Sequence, residues 1–143
     1  QRAIEIILKE MEDNRNNLIV IAAGYTNEMK RFLNSNPGLS SRFGKTMQFE
    51  NYTPDEMYVI SQTYAMESGY ILDNSCFNVL ASYYASESKK ANFANGRLAR
   101  KTVEVCIKAQ AVRLTEKCSL AAVSNRDLNI IKETDCQKAI QML

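Results

Sequence analysis

"NPGLSSRFGKTMQFE", residues 36–50, decides the fold, because it nearly contains a phosphate-binding loop. Gly38 is followed by five residues and then by Gly44-Lys45-Thr46. The loop of nucleotide hydrolases reads G-x-x-x-x-G-K-[ST], with its glycines wrapping backbone N–H groups around phosphates and a helix following. Here the spacer is one residue too long and the preceding "SNPG" breaks a helix instead of ending a strand. Met47 and Phe49 then alternate as in a strand rather than opening a helix. There is also no hydrophobic strand ending in Asp-Glu to hold Mg²⁺; "LIVIAA", residues 18–23, ends at Gly24. Gly44-Lys45-Thr46 is a decoy, and these residues alone lack the parts to bind and hydrolyse a nucleotide.

Composition narrows the classes. The 143 residues are 45% hydrophobic and 24% charged, enough apolar content for a packed core. A net charge of +2 argues against broad electrostatic capture of nucleic acid or anionic lipid. No apolar run approaches the roughly 18 residues of a membrane span. Cys76, Cys106, Cys118 and Cys136 lie far apart with no CxxC, and there is no histidine. The cysteines read as free thiols of a reducing, cytoplasmic compartment, no metal site is expected, and His-based triads are excluded.

Outward from the decoy, the chain separates into two pieces. Ile4, Ile7, Leu8 and Met11 recur at helical spacing. "LIVIAA" is a β-branched apolar run suited to a strand buried on both faces, as in a parallel sheet. Thr26 is expected to cap a short helix carrying Met29, Phe32 and Leu33. Asn36-Pro37-Gly38 reads as a turn and residues 46–50 as a second strand. Beyond Asn51, "YTPDE" predicts a helix capped by Thr53, with Pro54 in its first turn and Glu56 completing a capping box. Met57, Ile60 and Tyr64 line that helix and Gly69 stops it. Phe77, Leu80, Ala81 and Tyr84 mark a second helix. A third runs from about Asn95 to Lys117, with Leu98, Thr102, Val105, Ala109 and Val112 facing inward. Thr134 is expected to cap the last. The fold class is thus an α/β fragment, residues 1–51, followed by an all-α helical subdomain, residues 52–143. The opening at Gln1 in mid-pattern and a strand with nothing to cover its faces suggest a piece of a larger sheet.

The ordered series "MEDNR", "VIAAGY", "SNPGL", "SRF", "TPDE" and "NGR" within "FANGRLARKTVE" resembles the second half of an AAA+ ATPase module. It is most similar to the group containing the red-type rubisco activase CbbX and the stage V sporulation protein K. The resemblance spans about Glu5 to Thr102, with an echo at "ETDCQKAI". It implies the end of a parallel-sheet nucleotide-binding subdomain followed by a helical lid, in a parent that uses ATP and Mg²⁺. It further implies a hexameric ring acting on a protein client, with no nucleic acid or membrane involved. By the same resemblance Arg42 maps to an arginine finger reaching the neighbouring subunit's γ-phosphate. Arg97 maps to sensor 2, touching the nucleotide of its own subunit, and Tyr25 to the sensor 1 position at the strand end. The fragment alone is expected to be inactive and to hold no nucleotide stably.

Two other classes fit the residues. Lys89, Lys90, Arg97, Arg100 and Lys101 could form a basic surface for nucleic acid or a partner, although Glu87 and Glu104 dilute it, while Tyr58, Tyr64, Tyr83 and Tyr84 read as lid core and surface rather than a stacking platform. A non-catalytic oligomerisation domain would instead pair Arg42 with an acidic neighbour.

Overall fold

The strongest local signal, "YTPDE", folds as its chemistry dictates. Thr53 Oγ1 accepts from Glu56 N at 3.2 Å and the Glu56 carboxylate accepts from Thr53 N at 2.8 Å, so two orphan donors of the helix start are satisfied reciprocally. The computed structural model describes residues 2–117 and 127–143, so Cys118 lies outside the described residues. The chain divides into two compact units, residues 1–50 and 51–143.

The first unit holds three helices: α1 (Arg2–Asp13), α2 (Thr26–Asn34) and α3 (Pro37–Arg42). The apolar stripe of α1 leaves Ile4, Leu8 and Met11 half-buried, and α3 packs on both α1 and α2. Leu39 of α3 is fully buried, and Phe32 and Phe43 meet edge to face at 6.2 Å. The expected turn at Asn36-Pro37-Gly38 is a helix start: the Asn36 side chain accepts from Gly38 N at 2.8 Å and Pro37 opens α3. The same residues that end one helix begin the next. A Cβ on Gly38 would stand 3.0 Å from Leu8 Cδ1, so a larger residue there would require the Leu8 side chain to shift. Thr26 is not a cap but the first residue of α2; the residue before it is Tyr25, extended and without a side-chain cap bond.

Residues 18–23 and 46–50 adopt no strand here. Ile19, Ile21, Met47 and Phe49 are all at least 80% exposed. A strand exists through its ladder partners, and none of the described residues pairs with either segment. The apolar pattern is that of a sheet interior; the hydrogen bonds that would make it one are not supplied.

The second unit is predominantly helical: α4 (Pro54–Glu67), α5 (Cys76–Glu87), α6 (Gly96–Lys117) and α7 (Glu133–Gln141). It also contains one short open sheet absent from the sequence reading. Strand β1 (Ile71–Leu72) runs parallel to β2 (Ile130–Ile131), pairing Ile71 with Ile130 and Leu72 with Ile131. Two-residue strands are too short to give a periodic signal. Gly69 stops α4 at φ +81°, with Tyr70 N donating to Ala65 O and Gly69 N to Met66 O, a Schellman closure that favours glycine.

The core of this unit comprises Met57, Ala65, Leu72, Cys76, Leu80, Tyr84, Val103, Cys106, Ile131 and Cys136. Tyr84 is fully buried, its hydroxyl 2.7 Å from Ser61 Oγ, and burial pushes its phenol up to about 12. Cys106 and Cys136 approach at 3.8 Å, and Cys76 donates to Ile131 O at 3.3 Å. The contact with Cys136, together with burial, pushes the Cys76 thiol up. These three cysteines are free and buried.

The buried stripe of α6 runs through Ala99, Thr102, Val103, Cys106, Ala109 and Gln110. Val112, expected inside, is 48% exposed. The stripe continues to Arg113 instead, because its guanidinium ends on the buried Asp135, a polar partnership that apolar periodicity cannot register. The expected cap at Thr134 is displaced too: α7 begins at Glu133, and Asp135 accepts from Lys132 N at 2.9 Å.

The cap chemistry has a pH signature. The Thr53 N–H and hydroxyl hold the Glu56 carboxyl below its ordinary 4.5, and Ser75 holds Asp73 below 3.8. Folded values lowered in this way stabilise fully above the unfolded values, and that contribution is lost as pH falls through the folded ones. Glu56→Gln is therefore expected to flatten the loss of Tm on acidification below about pH 4.5 while changing little near neutrality. Thermal melts of both proteins along an acid series check it; parallel curves would refute the assignment.

Candidate functional site

The arm carrying Arg42 is built from a helix too short to stand alone. Its start is held by Asn36 and its middle by buried Leu39, which leaves Arg42 in the last turn. Arg42 Nη2 pairs with Glu12 Oε2 of α1 at 2.9 Å, the two side chains being 32% and 59% exposed. An ion pair this exposed contributes at most about 1 kcal/mol, so an anion of higher charge can take the guanidinium from Glu12. Glu12 carries no signal of this role in the sequence, since the partner lies thirty residues away.

Tyr25 stands at the carboxyl end of the apolar segment and immediately before α2. It is 55% exposed, and its carbonyl accepts from Met29 N at 2.8 Å. Among the described residues its hydroxyl has no hydrogen-bond partner. Arg42 and Tyr25 thus belong to the first unit, Tyr25 just before α2 and Arg42 in the last turn of α3, while Arg97 belongs to the second.

Arg97 is the second residue of α6. Its N–H donates to Ala94 O at 3.1 Å, and its side chain is exposed. Among the described residues its guanidinium has no partner. Two of its basic neighbours differ. Lys90 pairs with Glu87, and Arg100 pairs with Glu104 at 3.2 Å while lying over the Tyr64 ring at 6.0 Å. Those charges are answered locally. Tyr58 and Tyr84 are buried, so they offer no face for a base to stack on. Arg97, like Lys89 and Lys101, has no ion-pair partner among the described residues; of these three it alone carries the planar fork suited to phosphate.

The residue before the helix matters as well. Asn95 sits at φ +46° and its side chain makes three hydrogen bonds. Its only trace in the sequence is that asparagine is among the few residues that tolerate a left-handed backbone.

Among the described residues, no group of three or more His, Cys, Asp or Glu side chains is placed to hold a metal ion. The two arginines have the chemistry of phosphate donors. Among the same residues, no helix is long and apolar enough to cross a membrane.

Comparison with known proteins gives a consistent family. Residues 53–143 match the family described as AAA lid domain. Protein CbxX (plasmid) of Cupriavidus necator is 38% identical over 94% of this chain and 42% of its own length. A CfxQ homolog of Galdieria sulphuraria is 37% identical over 96% of this chain and 45% of its own. Stage V sporulation protein K of Bacillus subtilis is 35% identical over 93% and 44%. The chain thus spans less than half the length of each of these relatives. With the family match covering the whole helical unit from its first cap to its last residue, the chain belongs to the AAA lid domain family and is homologous to the CbxX, CfxQ and stage V sporulation K proteins.

Proposed function

We propose that this chain is the C-terminal part of an AAA+ ATPase module. In this reading residues 1–51 end the nucleotide-binding subdomain and residues 52–143 form its lid. The observation that carries it is Arg97: a guanidinium in the first turn of the long lid helix, exposed and unpartnered among the described residues while the other arginine of that turn's neighbourhood, Arg100, is paired with Glu104. A planar, permanently charged fork suits phosphate oxygens and costs little to desolvate compared with an ammonium. Arg97 would bind the nucleotide of its own subunit as sensor 2, and lid position would follow nucleotide state. Tyr25 would orient water or phosphate through its free hydroxyl.

The parent would hold ATP and Mg²⁺ with residues outside this chain, assemble as a hexameric ring in the cytoplasm, and remodel a protein client. Arg42 would act across the subunit boundary. No nucleic-acid or membrane partner is part of this reading, and the chain by itself would be inactive.

In the full-length protein, Arg97→Ala is expected to weaken ATP binding about tenfold or more, the scale of one or two lost charge-assisted hydrogen bonds. Calorimetric titration with ATP checks it. Unchanged affinity and turnover would remove the sensor role. Loss of association on Arg42→Ala in the absence of nucleotide would instead favour a non-catalytic assembly domain.

A further inference from the structure

An asparagine just ahead of a helix normally turns its side-chain oxygen onto the first free N–H groups. Asn95 does not. Its Oδ1 accepts from Tyr52 N at 2.9 Å, where the chain enters the second unit. Its Nδ2 donates to Asn51 Oδ1 at 2.9 Å and to Phe93 O at 3.1 Å. The amide orientation is unambiguous, because Tyr52 N can only donate and Phe93 O can only accept. Its carbonyl meanwhile accepts from Leu98 N and Ala99 N, joining it to the first turn of α6.

Two costs accompany this arrangement. The backbone at φ +46° is one that residues with a Cβ rarely adopt, and the usual cap bond is forgone. Strain of this kind persists where surrounding contacts over-determine it. Here those contacts converge from three directions: the incoming segment at Asn51 and Tyr52, the buried Phe93, and the helix start two residues from Arg97. Phe93 is 8% exposed, so one of the three anchors belongs to the core.

We propose that Asn95 is a positioning residue, tying the chain's point of entry into the lid to the helix turn that carries Arg97, so that phosphate binding at Arg97 is transmitted to that entry point. The inference rests on the reading of Arg97 given above. Coupling of this kind is carried by hydrogen-bonded links between the binding group and the joint it biases. Three side-chain hydrogen bonds from one residue provide them. Asn95 itself does not touch the nucleotide.

Asn95→Gly in the full-length protein separates the possibilities, because glycine adopts φ +46° freely and only the side-chain bonds are lost. With fluorophores at the exposed positions Lys9 and Lys108, ATP binding to the parent protein is read as a change in energy transfer. In Asn95→Gly we expect ATP affinity within about twofold of the parent, the ATP-induced transfer change at least about halved, and kcat down about tenfold with KM nearly unchanged. Asn51→Ala, which removes one bond without touching the strained backbone, is expected to shift the same quantities less. A merely structural residue would lower Tm and leave transfer change and kcat alone at temperatures below the melt. That result in both variants would overturn the proposal while leaving the Arg97 reading intact. A parent protein that does not bind ATP would instead remove the Arg97 reading and this inference with it.

Discussion

Replacing Arg42 by alanine in the full-length protein is expected to lower ATP turnover about a thousandfold while changing ATP affinity little. Phosphoryl transfer builds charge on the γ-phosphate oxygens, and a guanidinium delivered from a neighbouring subunit contributes on the order of 10³ to 10⁵ in rate. Arg42 has the attributes this needs. It ends a short, well-anchored helix, its side chain is partly exposed, and its present partner Glu12 holds it through one exposed bond of 2.9 Å. Arg42→Lys should rescue poorly, because a point charge lacks the planar fork. Steady-state hydrolysis beside equilibrium ATP binding reads both quantities. Turnover within about threefold of the parent would eliminate the finger. Loss of affinity in step with turnover would make Arg42 a ground-state ligand instead.

The second large effect concerns stability. Asp135→Ala is expected to destabilise the helical unit by about 3–5 kcal/mol, the range for removing one partner of a buried pair. Asp135 is fully buried and accepts from Arg113 Nε at 2.7 Å, Arg113 Nη2 at 3.0 Å and Lys132 N at 2.9 Å. Arg113 Nη2 also reaches Ile130 O at 3.2 Å. The Arg113–Asp135 pair therefore joins α6, β2 and the start of α7. The alanine variant strands a guanidinium that is 12% exposed and frees a backbone donor. The resulting drop in Tm should exceed about 10 °C. The double variant Arg113→Met, Asp135→Leu should recover much of the loss, since neither charge then needs desolvating. Denaturant unfolding of the three proteins decides it. An Asp135→Ala variant within about 0.5 kcal/mol of the parent would show that the pair contributes nothing.

Legibility followed the range of the interactions. Thr53, Pro54 and Glu56 act within one helical turn, and the capping box formed as read. Gly69 needs only its own φ and two neighbouring carbonyls, and it also behaved as read. Val112 and Thr134 did not, because their places were decided by Arg113 and Asp135, twenty-two residues apart. The apolar segments at 18–23 and 46–50 carry strand chemistry in their side chains, yet a strand is completed by its neighbours' backbone.

The amino-acid sequence by itself determined the capping box that starts α4, the glycine that stops it, and the helical character of α4, α5, α6 and α7. Through an ordered series of short motifs it also determined the family. Those properties depend on residues within a turn or two of one another, or on their order along the chain. Tertiary structure alone decided the parallel pairing of Ile71–Leu72 with Ile130–Ile131, the buried Arg113–Asp135 clamp, the hold of Glu12 on Arg42, and the commitment of Asn95 to Tyr52 rather than to its own helix. Each joins residues thirty or more apart, except the clamp at twenty-two, and a donor finds its acceptor over such distances only after the intervening helices have packed.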